Sequence, residues 1–295
     1  DYRETDSDAD GIADTLEAGA DPANPLDTDA DGTHRLSCAE VVLAANALGD
    51  ARLLDGVIDH PLFGKGLMLH PTAIVTGYFD EELQSWRGPF AASIVSQQFY
   101  ESDPARGFTG GFQLQALRGQ GPLTTAMGGY GSRLPWGRVH ATAFEARFGR
   151  GLSLTVTCDD LPEDENGIAL HDDARDRHGL PIPRMIYRVG ENSRAMLAYG
   201  IGRAGEALRA AGARDVAVTP LSRDAGFHLM GTARMGTADT GVTDAYGRVH
   251  GVPGLSIVDA STFVTAAPVN PTPTLQALAL RAGAAMRDGR GAVAA

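Results

Sequence analysis

Two short apolar runs, Val41-Val42-Leu43-Ala44-Ala45 and Leu255-Ser256-Ile257-Val258, stand near opposite ends of the chain. Each is too short for a helix. Asn46 and Gly49 follow the first, and Gly254 and Asp259 bracket the second. Runs without polar alternation are expected of strands buried on both faces, as in a parallel sheet. The middle of the chain has a different period. Leu152, Leu154 and Val156 alternate with Ser153, Thr155 and Thr157, and Ile168 and Leu170 alternate likewise. That is the pattern of half-buried antiparallel strands. Residues 181–187 read as a further extended piece, with Pro181 and Pro183 favouring an edge. An α+β chain follows, in which the two ends share one α/β unit and an antiparallel sheet is set between them. The expected divisions are 1–32, an acidic leader; 33–75, the start of the α/β unit; 76–222, the sheet unit; and 223–295, the return.

Two helices are expected. Leu197, Ile201, Ala204, Leu208 and Ala211 fall at helical spacing, with Asn192 or Ser193 as cap and Gly212 as stop. In the last helix Thr272 is the expected N-cap and Pro273 sits in the first turn; Leu275, Leu278, Ala279, Ala282 and Met286 make one apolar stripe. Residues 100–137 show little periodicity and read as long loops; residues 78–140 are expected to shape a pocket. Gly200-Ile201-Gly202-Arg203-Ala204-Gly205 satisfies the dinucleotide pattern G-x-G-x-x-G. The pattern requires a preceding strand, and helical spacing runs through it, so we read it as a glycine-rich packed helix.

The net charge of −12 is uneven: residues 1–32 hold eleven acidic groups and one basic group. The remainder is nearly neutral and offers no basic face for nucleic acid. No apolar stretch reaches membrane-spanning length. Cys38 and Cys158 have no metal or redox spacing and read as two buried thiols.

The leader has a regular grammar. Asp6, Asp8, Asp10, Asp14 and Glu17 fall at loop positions 1, 3, 5, 9 and 12, with Gly11 at position 6, and Asp27, Asp29 and Asp31 begin a second copy before Gly32. Oxygen ligands at this spacing suit Ca²⁺. A solvated acidic tail is the plain alternative. The segment resembles thrombospondin type 3-like repeats, which favours an extracytoplasmic location.

The chemistry-bearing residues lie near the C-terminal end. His228 opens His228-Leu229-Met230-Gly231-Thr232-Ala233-Arg234-Met235-Gly236, and Asn270 opens Asn270-Pro271-Thr272-Pro273-Thr274. Oxidising an alcohol needs a base for the hydroxyl proton and a second group that orients the hydroxyl. Imidazole suits the first task and carboxamide the second. A helix N-terminus after Asn270 would favour a neighbouring anion. Asp259, at the end of a buried strand, can accept hydrogen bonds.

These motifs, with Gly66-Leu67-Met68-Leu69-His70-Pro71, Asp176-Arg177-His178-Gly179-Leu180-Pro181, Arg248-Val249-His250-Gly251 and Val258-Asp259-Ala260-Ser261, resemble the C-terminal part of the glucose–methanol–choline (GMC) flavin oxidoreductases from about residue 36 to residue 286. The resemblance implies FAD as cofactor and an alcohol as substrate, with hydride passing to flavin N5. It implies His228 as base and Asn270 as its partner. Asp259, Ala260, Pro271 and Thr272 would contact the flavin and its ribityl chain, and Ala45 and Asn46 would lie near the adenine half. His70, His178 and His250 are read as structural. The glycine-loop unit that the family places first is not in this sequence. The expectation is therefore a fragment or one half of a two-chain enzyme, weak in binding FAD alone. A non-catalytic extracellular calcium-binding protein on the same scaffold is the alternative, and a lyase on it stays open.

Overall fold

The computed structural model describes residues 38–289, apart from 90, 131–133, 178 and 223–224. The calcium-ligand candidates of the leader and His178 lie outside the described residues. Residues 42–295 form one compact unit. Of the other unit, residues 1–41, the described part is exposed, Cys38 included. The expectation of two buried thiols therefore holds for Cys158 alone.

The elements run β1 (Val41–Leu43), α1 (Asn46–Leu53), β2 (Thr72–Tyr78), β3 (Ala91–Ser96), β4 (Phe112–Leu117), α2 (Pro122–Ala126), α3 (His140–Glu145), β5 (Gly151–Cys158), β6 (Gly167–Arg175), β7 (Pro181–Ile186), α4 (Glu191–Ala210), β8 (Asp215–Thr219), β9 (Leu255–Ile257) and α5 (Thr272–Arg287), with single 3₁₀ turns at Pro104–Arg106 and Ala260–Thr262. Five strands make one antiparallel sheet in the order β3-β4-β5-β2-β8. The alternation seen at 152–157 is strand β5, with β2 and β4 on its two sides, but it is not half-buried as expected: Ser153, Thr155 and Thr157 are buried too. Strand β2 lies between β5 and β8 and is buried along its whole length, so its polar Thr76 pairs with Ser153 at 2.8 Å rather than with water. Strands β6 and β7 form a separate antiparallel pair, with Pro181 and Pro183 on the outer strand as expected.

One face of the large sheet is covered by α4. Val75, Phe112, Val156, Met196 and Leu208 are the centre of that core. The glycine motif lies inside α4, where Gly200 is buried against Val156 and Phe112. It is packing, as expected, and Gly212 ends the helix at φ 97°. The start differs from expectation: the helix begins at Glu191, with no side-chain cap at Gly190. Both candidate caps are used elsewhere. Asn192 exchanges two hydrogen bonds with the Thr109 backbone, and the Ser193 hydroxyl donates to Asp160.

Three further expectations need correction. Residues 100–137 are not simply loops, since β4 and α2 lie within them; the alternation of β4 is hidden because buried Gln113 stands among its apolar residues. Thr272 is the first residue of α5 rather than its cap, because Pro271 already has helical backbone angles. Strand β1 pairs with β9, which returns the C-terminal stretch to the N-terminal one, and the Val258 N–H donates to the Leu43 carbonyl at 2.8 Å. Yet Val41 and Val42 are exposed. Among the described residues β1 has only this one strand neighbour, so a run expected to be covered on both faces is not.

Candidate active site

The site is built on a mirrored tripeptide. Met68-Leu69-His70 and His228-Leu229-Met230 are the same residues in opposite order. Met68 and Met230 form an antiparallel bridge and exchange both backbone hydrogen bonds, at 2.8 and 3.0 Å. Antiparallel register then sets His70 across from His228, because pairs two residues along lie on the same face. Their Nδ1 atoms are 2.8 Å apart and the rings meet edge-to-face at 77°. The methionines pack with Phe263 and Ala266, and Leu69 and Leu229 belong to a different apolar cluster with Ala47 and Leu67.

The far nitrogen of His228, Nε2, lies 3.4 Å from Nδ2 of Asn270. Asn270 is exposed, and the first residues of α5 that follow it are exposed with no side-chain cap. The two residues expected to act together are therefore brought together, at the N-terminus of a 16-residue helix.

The loop that carries His228 is held against the turn that follows β9. The N–H groups of Gly231, Ala233 and Met235 donate to the carbonyls of Ala260, Ser261 and Thr262, at 2.9–3.0 Å. Asp259 begins that turn. One of its oxygens accepts from the Ser261 N–H at 2.9 Å, the other from the Asn46 N–H at 2.7 Å. Asn46, in turn, sits at φ 61° and accepts the Leu48 N–H on its side chain. Ala45, Asn46, Asp259 and Ala260 thus meet in one place, next to the loop of His228. Pro271 and Thr272 join through Asn270. Every described candidate for the cofactor is in this one region.

Two features were not legible as site residues. Asp50, on α1, is fully buried and accepts the Ser261 hydroxyl at 3.0 Å. Burial first, and then the neighbouring Asp259 carboxylate, raise its pKa far above the usual carboxylate range. His70, expected to be structural, faces the candidate base directly. Burial and then the charge of His228 lower its pKa to about 4. Burial also lowers that of His228. Both shifts favour the uncharged form of the ring. The mirrored tripeptide was the signal for His70; only register makes it visible. His250 places its Nε2 3.0 Å from the Gly236 carbonyl.

A cavity of about 650 Å³ opens beside His70, lined mainly by apolar side chains that include Pro71, Met185, Tyr187, Leu197 and Ile201. Among the described residues none from 78 to 140 lines it, nor do His228 and Asn270. At its wall, Asp160 accepts hydrogen bonds from the Leu69 N–H, the Tyr187 hydroxyl and Ser193. Among the described residues no group of His, Cys, Asp and Glu side chains is arranged to hold a metal, and no helix is long and apolar enough to cross a membrane.

Residues 162–279 match a family model described as GMC oxidoreductase. Among curated proteins, 2-methyl-1,2-propanediol dehydrogenase of Mycolicibacterium austroafricanum is 37% identical over 91% of this chain and 51% of its own length. These matches support the GMC oxidoreductase family. Paromamine 6'-oxidase of Streptomyces fradiae is 29% identical, over 86% of this chain and 46% of its own. The chain spans about half the length of the curated GMC relatives it matches. Among solved structures, a formate oxidase of Aspergillus oryzae RIB40 superposes with a TM-score of 0.55 at 17% identity, over 85% of this chain and 54% of that one. That likeness supports the fold alone, a mixed helix-and-sheet architecture.

Proposed function

We propose that this chain carries the base and the flavin-facing turn of a GMC-type, FAD-dependent alcohol oxidoreductase. The observation that carries the reading is the approach of His228 Nε2 to the Asn270 carboxamide beside the exposed, uncapped start of α5. The residues present fit the cofactor. A half-buried imidazole, an exposed carboxamide and a helix N-terminus surround one exposed position, and backbone of a strand-end turn stands beside them. Ala260, Pro271 and Thr272 would border the ring system, Asp259 the ribityl chain, and Ala45 and Asn46 the adenine side. When bound, FAD supplies the acceptor for the hydride.

The chain's own residues then divide the remaining work. Neutral His228 takes the hydroxyl proton at Nε2. Asn270 holds the hydroxyl so that its carbon-bound hydrogen is directed away from the base. The α5 N-terminus favours negative charge next to it. The names of the relatives, a diol dehydrogenase and a paromamine oxidase, support an alcohol as the substrate class. The division of residues 33–295 at 75 and 222 into cofactor and substrate parts belongs to the same proposal. So does calcium on the acidic leader, with an extracytoplasmic site; a calorimetric calcium titration that shows no binding would remove it.

The test of function is made on FAD-loaded protein with an alcohol panel. His228→Ala should lower turnover by a factor on the order of 10²–10⁴, the range of a general base. Unchanged turnover would exclude His228 as the base.

A further inference from the structure

We propose that His70 is a positioning residue: its Nδ1 accepts the Nδ1–H of His228, which fixes the His228 tautomer that leaves Nε2 free to take a proton. The inference deepens the function proposed above and rests on it for its catalytic consequence, though not for its structural content.

The argument is one of counting protons. A neutral imidazole has one N–H and one lone pair. Two Nδ1 atoms 2.8 Å apart cannot both carry protons, nor both present lone pairs; one must donate to the other. At the other end of His228, the atom facing Nε2 is the Asn270 amide nitrogen, a donor. Nε2 must then hold the lone pair, so the single proton of His228 sits on Nδ1 and His70 is the acceptor. The proton of His70 is left on its own Nε2. That atom is buried, and the ring also interacts with the Ala267 backbone, which favours a proton on it.

The rest of the surroundings holds His70 still. Its exposure is 2%. The Leu69 N–H is bound by Asp160, the His70 carbonyl accepts the Thr72 hydroxyl at 2.8 Å, and the Met68–Met230 bridge holds the two segments in register. Burial lowers the pKa of both rings, which keeps one proton on each, as the count requires. A base whose second nitrogen is tied to a rigid partner cannot rotate or switch tautomer, the general role of groups that orient an imidazole from behind.

The experiment needs no cofactor for its first arm. In the uniformly ¹⁵N-labelled chain, long-range ¹H–¹⁵N correlations of the imidazole ring should show His228 protonated at Nδ1 and bare at Nε2 near pH 7. His70→Phe should shift it toward the Nε2–H form. His70→Asn, which keeps an acceptor oxygen, should restore the Nδ1–H form at least in part. A wild-type His228 protonated at Nε2 overturns the proposal outright, even if neither variant folds. So does an unchanged tautomer in folded His70→Phe. In the second arm, FAD-loaded His70→Phe should lose roughly 10–100-fold in kcat, the usual effect of removing such a partner, with KM changed less than about threefold and partial rescue by His70→Asn. If the tautomer responds to His70 but His228→Ala leaves turnover unchanged, the functional reading fails and the pairing stands. If His228→Ala is inactive and the tautomer ignores His70, the pairing fails and the function stands.

Discussion

Helix α4 offers a paired perturbation whose two members should have opposite signs. Gly200 and Gly202 lie one turn-fraction apart in the same helix, within the same G-x-G-x-x-G match. A Cβ at Gly202 would meet nothing within 4 Å, whereas a Cβ at Gly200 would lie 2.3 Å from Cγ1 of Val156 and 3.2 Å from the Phe112 ring. Replacing a helix-interior glycine with alanine favours the helix by about 1 kcal/mol, so Gly202→Ala should be stabilised by that amount. Gly200→Ala receives the same gain but must push α4 off the sheet by more than an ångström. Val156 and Phe112 are fully buried and cannot turn aside. Overpacking of this kind costs roughly 1–3 kcal/mol, and the depth of this overlap argues for the upper end, a net loss of about 2 kcal/mol. The difference between the two variants, about 3 kcal/mol, corresponds to roughly 5–10 °C in midpoint for a chain of this size. Thermal unfolding followed by circular dichroism would measure it. A Gly200→Ala chain that melts at or above the parent would mean that α4 does not lie on β5, and a nucleotide-binding role for these glycines would return.

Three other outcomes follow from buried titratable groups and one strained residue. His70, held at about 4 in the folded chain against about 6.5 unfolded, binds its proton more readily unfolded, so it adds stability that is present above pH 6.5 and lost as pH falls toward 4. The span is about 3 kcal/mol, and denaturant titrations of the parent and His70→Asn at pH 7 and pH 5 should diverge by about 2 kcal/mol of it; parallel curves would contradict the shift. Asp50 acts in the opposite sense: burial and Asp259 raise its pKa, so the folded state keeps a proton the unfolded state loses, and stability declines as pH rises above the ordinary carboxylate range. Asp50→Asn should flatten that decline in the same titrations, and a decline of unaltered steepness would show that Asp50 is not its source. Asn46 stands at φ 61° with its side chain on the Leu48 N–H; Asn46→Ala should cost roughly 1–2 kcal/mol through strain and the lost bond, and Asn46→Gly clearly less, as read from urea midpoints. Equal losses would argue against the left-handed conformation.

Much of the fold was legible because its signals are local. Alternation at 152–157 and at Ile168 and Leu170 marks β5 and β6, helical spacing from Leu197 to Ala211 marks α4, and Gly212 stops it where a left-handed residue is needed. Strands β2 and β8 carry no such signal: β2 is apolar and polar residues alike buried on both faces, and only neighbours on either side reveal why. The missed caps of α4 have the same origin. Asn192 and Ser193 are good cap residues in isolation, but Thr109 and Asp160, distant in the chain, claim their side chains.

The candidate site divides in the same way. His228, Asn270, Asp259 and Asn46 could be named from residue type and motif, since base, carboxamide, carboxylate and turn former each announce a chemistry. What no local pattern contains is partnership across the chain. Register between segments 158 residues apart turns His70 from a structural residue into the neighbour of the base. Packing of α1 against the turn after β9 buries Asp50 beside Asp259. A strand or helix is written in periods of two and 3.6 residues, so the amino-acid order determined those elements by itself. Which imidazole meets which, and which carboxyl gives up its water, depended on closure of the whole chain, because contact and burial are properties of the folded neighbourhood and not of the residue.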